Sequence, residues 1–248
     1  MKFGIIEILD FDIKADDWLA SRLGFPTFRI LNVQTRPIQK LAVELLKQIP
    51  KKSFIQSRIP MEELEVAGKL QFLGFKKIEQ LITFETSISK VQFGRQPQVR
   101  LAVPEDRERV VEIARQAFTY SRFHQDPLIP SALADAIKAD WTEAYFYGTR
   151  GSKMIVALNE GEVSGYLLLI ENRNKLIIDL IAVDKNQRGR RLASRMVEYV
   201  LEHAPNYITS ISAATQENNR ASIAFYEALG FTPKTYQLTF HKHGTEFN

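Results

Sequence analysis

The sequence predicts an α/β (α+β) protein, a mixed central sheet flanked by helices, preceded by a smaller domain built of related parts. From residue 98 onward the hydrophobic spacing switches in the order strand, two helices, three strands, helix, strand, helix, strand. The strand "KLIIDLIAV" runs through the basic turn "DKNQRGRR" into a helix. The stretch "GKLQFLGF" (68–75) is a rougher copy of the end of "NNRASIAFYEALGF" (218–231).

In order along the chain, "RPIQKLAVELLKQIP" (36–50) has helical spacing, with Ile38, Leu41, Leu45 and Ile49 on one face and Pro50 ending it. The polar segment "KVQFGRQPQ" (90–98), with Gly94 and Pro97, reads as a linker, so residues 1–92 and 98–248 are the expected domains. After it, "QVRLAV" alternates as a short strand, and Pro104 suits the first turn of the helix "PEDRERVVEIARQAF". A second helix follows Pro130. "KMIVAL", "VSGYLLLI" and "KLIIDLIAV", joined by the turns "NEGE" and "ENRN", read as an antiparallel meander. Leu192, Met196, Val200 and Leu201 share one side of the next helix. A strand ("YITSISAA"), a helix ("NRASIAFYEALG") and a last strand ("TYQLTFHK") close the chain.

At 248 residues the chain exceeds the ~100–200 residues of one typical domain. A hydrophobic content of 45% with 25% charge supports a real core. With no cysteine, a disulfide framework, a thiolate metal site and a cysteine nucleophile are excluded. No apolar run approaches the ~18 residues of a membrane span, and the start "MKFGIIEILDFDIKADDW" has acids and no cleavage signature. A cytoplasmic protein without membrane or nucleic-acid partners is expected. The net charge of +4 (pI about 9.2) is too small to argue for nucleic acid, but Arg188, Arg190, Arg191 and Arg195 cluster.

Aligning Leu73-Gly74-Phe75 on Leu229-Gly230-Phe231 also superposes Thr83-Phe84 on Thr239-Phe240 without a gap. Helix, glycine cap and strand are common grammar, so the match is either chance or a worn-down internal copy. In a copy, Leu70 stands where Tyr226 does and lacks its hydroxyl.

The chemistry concentrates at 176–194. A helix N-terminus binds anions through its free N–H groups, and Gly189 would let a phosphate approach the backbone. Arginines in the first turn oppose the helix dipole, so Arg190 and Arg191 suggest an anion there; a solvated basic face is the alternative.

The run Gln187-Arg188-Gly189-Arg190-Arg191-Leu192-Ala193 resembles the pyrophosphate-binding motif R/Q-x-x-G-x-G/A of the GNAT superfamily of acetyl-CoA-dependent N-acetyltransferases. Arg188 matches its first position and Ala193 its last, while Arg191 departs from it, standing where a glycine usually is. Asn219 and Tyr226, followed by Gly230-Phe231, resemble the second GNAT signature, with Ser222 in place of its alanine. The resemblance covers 98–248 and implies a GNAT fold, with acetyl-CoA as cosubstrate. "AFTYSRFHQDPLIP" and "KADWTEAYFYG" are similar to the acceptor region of the dTDP-fucosamine acetyltransferase group, whose members also carry a degenerate GNAT-like half in front. That likeness implies a nucleotide-linked amino-deoxy sugar as acceptor and a first domain that binds no cofactor.

On this resemblance, the backbone of Leu180, Ile181, Ala182 and Val183 would bind pantetheine and polarise the thioester carbonyl. Arg188, Gly189, Arg190, Arg191, Leu192 and Ala193 would hold the pyrophosphate. Tyr226 is the candidate acid for the departing thiolate, or else a core aromatic beside Phe225. Asn219 is a pantetheine contact, an N-cap, or both. Asp179 is a candidate base whose face alternation leaves open. His124 is another, or contacts the acceptor with Ser121, Arg122, Phe123 and Asp126; Arg122 would suit a diphosphate. His241 and His243 invite a metal reading, which two lone histidines near a terminus do not support, so no metal is expected. Besides the sugar-nucleotide acetyltransferase, a peptide or small polyamine acceptor and a non-catalytic acetyl-CoA-binding module remain readings, and a homodimer is possible. A basic "SRFH" disfavours polyamines, and a retained Tyr226 disfavours the module.

Overall fold

In the computed structural model the described residues are 12–31, 49–88 and 98–244. The helix expected over 36–50 and the linker at 90–98 fall outside them, apart from their final residues. One compact unit holds the described residues up to Leu81 and those from Tyr236 onward; the other is Ile82–Thr235. The boundary expected between 92 and 98 therefore does not coincide with the division. The physical reason is that burial, not the linker, sets the units: Ile82 and Phe84 of the strand after Phe75 join the core of the second unit, and Leu238 and Phe240 of the last strand join that of the first.

The first unit contains β1 (Asp12–Ala15), α1 (Asp17–Leu23), β2 (Thr27–Leu31), β3 (Phe54–Pro60), α2 (Leu64–Phe72), the start of β4 (Lys76–Ser87) and the end of β10 (Thr232–His243). Its strands run β1-β2-β3-β10-β4. β2 pairs parallel with β3, and β3 antiparallel with β10. Val66, Ala67 and Leu70 of α2 pack with Ile55, Ile59, Phe75 and Phe240. Each large side chain buried in this way contributes on the order of 1.5–3 kcal/mol. His241 and His243 of β10 pack their rings on Phe54, at 4.7 Å and 5.0 Å.

The second unit adds β5 (Val99–Leu101), a 3-10 turn (Pro104–Asp106), α3 (Arg107–Ala117), the one-turn α4 (Arg122–Gln125), α5 (Ser131–Glu143), β6 (Lys153–Asn159), β7 (Glu162–Asn172), β8 (Lys175–Val183), α6 (Leu192–His203), β9 (Ser210–Gln216) and α7 (Arg220–Ala228). The order is β10-β4-β9-β8-β7-β6-β5. The meander β6 to β8 is antiparallel, as its turn signals predict; β5 pairs antiparallel with β6, and β8 parallel with β9. Leu192, Met196, Val197 and Val200 of α6 cover one face with Tyr226 of α7; Val110, Ile113 and Ala114 of α3 cover the other, flanked by Trp141 of α5.

The two similar endings are built alike. Gly74 and Gly230 are both left-handed (φ 85° and 78°), where glycine is free of a Cβ clash. Phe75 N–H donates to Leu70 O and Phe231 N–H to Tyr226 O, both at 3.0 Å. The strand that follows has 12 residues in each case.

Candidate active site

The β7–β8 ladder breaks at one residue. Leu168 pairs with Leu180 and Leu169 with Ile178, so Asp179 is the extra residue of a β-bulge. Strict alternation would put Ile178 and Leu180 on one face. Instead Ile178 packs with α6 and α7, whereas Leu180 packs on the α3 side. The bulge settles the face of Asp179: its carboxylate meets α5. Arg150 Nε donates to Oδ2 at 2.7 Å and its Nη2 to Oδ1 at 2.8 Å, while Trp141 Nε1 donates to Oδ2 at 3.0 Å. The Arg150 guanidinium also lies 4.0 Å from the Trp141 ring centroid. Both carboxylate oxygens thus hold neighbours. Taking up a proton would break this clamp, so the geometry fits Asp179 as an anchor better than as the base.

Beside the bulge, the parallel pairing of β8 with β9 runs from Lys175↔Ser210 to Ile178↔Ala213. Both strands continue, β8 to Val183 and β9 to Gln216. Past the paired register lies a cleft of about 160 Å³, walled by Asp179, Leu180 and Ile181 of β8 and by Ala214, Thr215 and Gln216 of β9. Among the described residues the register with β9 does not extend past Ile178, so this edge of β8 can present backbone groups to a ligand. Ala182 is buried, and Val183 packs toward α6.

Asn219, Ser222 and Tyr226 complete that side of the cleft. Asn219 Oδ1 accepts the Ser222 N–H at 3.2 Å as an N-cap, which leaves its amide NH₂ as a donor. Tyr226 is 3% exposed, with its ring stacked on Phe84 (5.9 Å) and edge-on to Phe225 (5.0 Å). It is therefore a core aromatic and a wall residue at once. Burial pushes its hydroxyl pKa well above the usual tyrosine value, so the phenol stays protonated.

The basic turn lies between β8 and α6. Asp184 accepts the Asn186 N–H at 2.8 Å and pairs with Arg109; these contacts hold its carboxyl below the usual carboxylate range. Gly189 has φ 80° and open space where a Cβ would be. Arg191 is the N-cap of α6 and is itself left-handed, φ 60°. That conformation explains why the resembling motif has glycine there, and it costs an arginine on the order of 1–2 kcal/mol. The Arg191 side chain is 75% exposed and reaches Glu198 at 3.4 Å. Arg188 Nε donates to Val183 O at 3.4 Å. Arg190 is exposed, and the first-turn N–H groups at Leu192 and Ala193 precede any intrahelical partner. The turn therefore fits a diphosphate.

On the acceptor side the structure separates the expected residues. Ser121 lines the cleft, with Thr119, Tyr120 and Lys138. Phe123 is fully buried, 6.5 Å from Trp141, and serves packing rather than acceptor contact. Asp126 is buried too and accepts the Leu128 N–H at 3.0 Å, which shapes the turn before α5. Arg122 lies over Phe123 (4.4 Å) and Trp141 (5.6 Å). His124 sits between Ser121 and Asp135.

Sequence reasoning placed Lys138 and Trp141 inside the expected acceptor segment without singling them out, and missed Asp135 and Arg150. Lys138 and Trp141 are only 8% exposed and half-buried respectively, and Lys138 Nζ lies 4.9 Å from the Phe118 ring and 4.7 Å from that of Trp141. Their i, i+3 spacing on one helix face was a usable signal. Arg150, in a loop, had none.

Residues 108–231 match the profile of the Acetyltransferase (GNAT) family. The chain is 31% identical over 205 residues to the spore coat polysaccharide biosynthesis protein SpsD of Bacillus subtilis (strain 168), spanning 79% of this chain and 68% of that protein. It is similar in fold to a functionally unknown conserved protein from Staphylococcus epidermidis ATCC 12228 (TM-score 0.70, 14% identity, covering 96% of this chain and 93% of that one). It is likewise similar to a GCN5-related N-acetyltransferase from Sphaerobacter thermophilus (TM-score 0.64, 14% identity, covering 96% and 78%).

Proposed function

The chain belongs to the acetyltransferase (GNAT) family, and we propose that it transfers acetyl from acetyl-CoA to the amine of a nucleotide-linked amino-deoxy sugar, as in the dTDP-fucosamine acetyltransferase group. It is an N-acetyltransferase with the GNAT fold. The observation that carries the reading is the convergence of the bulged β8, the end of β9 past its register with β8, and Tyr226 on one cleft.

Acetyl-CoA supplies a thioester carbonyl open to attack by an amine. Backbone N–H groups around Leu180 and Ile181 stabilise the oxyanion that develops there. The turn at 188–193 holds the pyrophosphate, and the Asn219 amide holds pantetheine. The Tyr226 hydroxyl gives its proton to the leaving thiolate. A phenol (pKa ~10) is a weaker acid than a thiol (~8.5), but the desolvation that raises one also raises the other in the same cleft.

Lys138 on the cleft wall, with Arg122 stacked on Trp141 nearby, favours an acceptor that carries an anion, such as a nucleoside diphosphate. These cations disfavour a polyamine. The polysaccharide role in the name of the Bacillus subtilis relative points the same way. The first unit is read as a degenerate GNAT-like half without a cofactor site, supported by its matching helix ending and by Leu70 in the place of Tyr226.

Thermal shift with acetyl-CoA and desulfo-CoA tests the cosubstrate. Both should stabilise the chain at concentrations well above a micromolar Kd, and failure of both overturns the assignment. Thiol release from acetyl-CoA against a panel of amines tests the acceptor, with dTDP-4-amino-4,6-dideoxygalactose expected to give the highest kcat/KM.

A further inference from the structure

A serine, a histidine and a carboxylate stand in line from the cleft toward solvent. Ser121 Oγ lies 2.6 Å from His124 Nδ1, and His124 Nε2 lies 3.0 Å from Asp135 Oδ1. Ser121 is buried yet lines the cleft, which Asp179 and Tyr226 also line. The His124 side chain is 8% exposed, that of Asp135 39%. The line thus begins at the site of reaction and ends at water.

Local structure holds it in place. Ser121 precedes the single turn of α4, and the i, i+3 spacing sets His124 against it. Backbone N–H groups of His124 and Gln125 both donate to Ser121 O, at 2.8 Å and 3.0 Å. Phe123, fully buried against Trp141, anchors the turn. Asp135 comes from α5, whose first turns flank it.

A carboxylate only accepts hydrogen bonds, so Nε2 carries the ring hydrogen toward Asp135. Nδ1 is then the acceptor of the Ser121 hydroxyl. This is the order of donors needed to draw a proton out of the cleft.

We propose that Ser121, His124 and Asp135 form a proton relay that deprotonates the acceptor ammonium. The proposal rests on the reading of the cleft as the place where an amine is acetylated. Ser121 Oγ takes a proton from the ammonium nitrogen as its own hydrogen passes to His124 Nδ1. Asp135 holds the resulting imidazolium, which loses its Nε2 proton toward Asp135 and water; exchange with water restores the starting tautomer. The balance closes. The ammonium nitrogen loses two protons on becoming an amide: one leaves through the relay before attack, and the other replaces the proton that Tyr226 gives to the thiolate. The new C–N bond forms as the C–S bond breaks, with one proton released to solvent. Ser121 is the group that meets the amine; His124 acts through it, and Asp135 positions His124.

The test uses two amines of different basicity with the full chain at pH 7. dTDP-4-amino-4,6-dideoxygalactose arrives as an ammonium, whereas hydroxylamine is already neutral. Ser121→Ala and His124→Gln should lower kcat with the sugar by roughly 10²–10⁴-fold. The hydroxylamine rate should stay near wild type, and free imidazole should restore sugar turnover to His124→Ala. Nitrogen NMR of the histidine rings, assigned by loss of signals in His124→Gln, should show Nε2 protonated and Nδ1 bare in the ligand-free protein. That measurement needs no turnover and serves even if Ser121→Ala fails to fold; if His124→Gln does, the signals are assigned through their couplings to the labelled backbone of wild type. Equal losses with both amines, unchanged rates, a protonated Nδ1, or an acetyl group found on Ser121 by mass spectrometry would each overturn the relay. A wild type that acetylates neither amine overturns the proposed function, and the relay with it.

Discussion

Tyr226 carries two duties in one side chain, and replacing it separates them. Phenylalanine keeps the ring against Phe84, Phe225 and Phe231 but removes the hydroxyl. Tyr226→Phe should therefore lower kcat by roughly 10²–10⁴-fold while leaving melting temperature and acetyl-CoA affinity nearly unchanged. Wild-type turnover would reduce the residue to core. Asp184 gives a prediction in pH. Its folded pKa is depressed by the Asn186 N–H and by Arg109, so its contribution to stability is present above the unfolded value near ~4 and is lost as pH falls through the folded value. Asp184→Asn should lower the melting temperature at pH 7 and flatten its decline below about pH 4. Parallel declines in the two proteins would remove Asp184 from the account.

A strand with one extra residue does what a regular strand cannot. The bulge in β8 puts Asp179 and Leu180 on the same side of the sheet and lies where the register with β9 ends and the cleft begins. The Arg150 and Trp141 clamp fixes that bulge from outside the cleft. Arg150→Ala should thus lower kcat by up to about 10²-fold, the scale of one oxyanion donor lost, with acetyl-CoA stabilisation retained. A rise in KM with kcat intact would instead assign Arg150 to binding. The turn into α6 shows the opposite economy, since Arg191 holds a left-handed cap that glycine would take without strain.

The division of the chain into units runs through β4 and β10 rather than between two stretches of sequence. Ile82 and Phe84 lie in the core of the second unit, with Phe84 stacked on Tyr226. A fragment beginning at residue 98 lacks both, and loss of a buried Phe side chain alone costs about 3–5 kcal/mol. Such a fragment should show poor NMR dispersion and no cooperative melt. A well-folded, acetyl-CoA-binding fragment would refute this.

Periodicity and turn chemistry made much of this legible in the sequence. The meander, the helices over 107–117, 131–143 and 192–203, and the helix endings at Gly74 and Gly230 rest on local spacing and on glycine's tolerance of positive φ, which one stretch of sequence carries by itself. The same holds for Asn219, Tyr226 and the turn at Gly189, whose motifs are contiguous. What only the tertiary structure decided depends on residues far apart in the chain. The face of Asp179 turned on a bulge against β7, which alternation within β8 cannot reveal. Trp141 and Arg150 met Asp179, and Asp135 met His124, across intervals that leave no local signal. Phe123 and Asp126 stand beside Ser121 in sequence yet went to packing and to a turn, because a single turn of helix points neighbouring side chains in different directions.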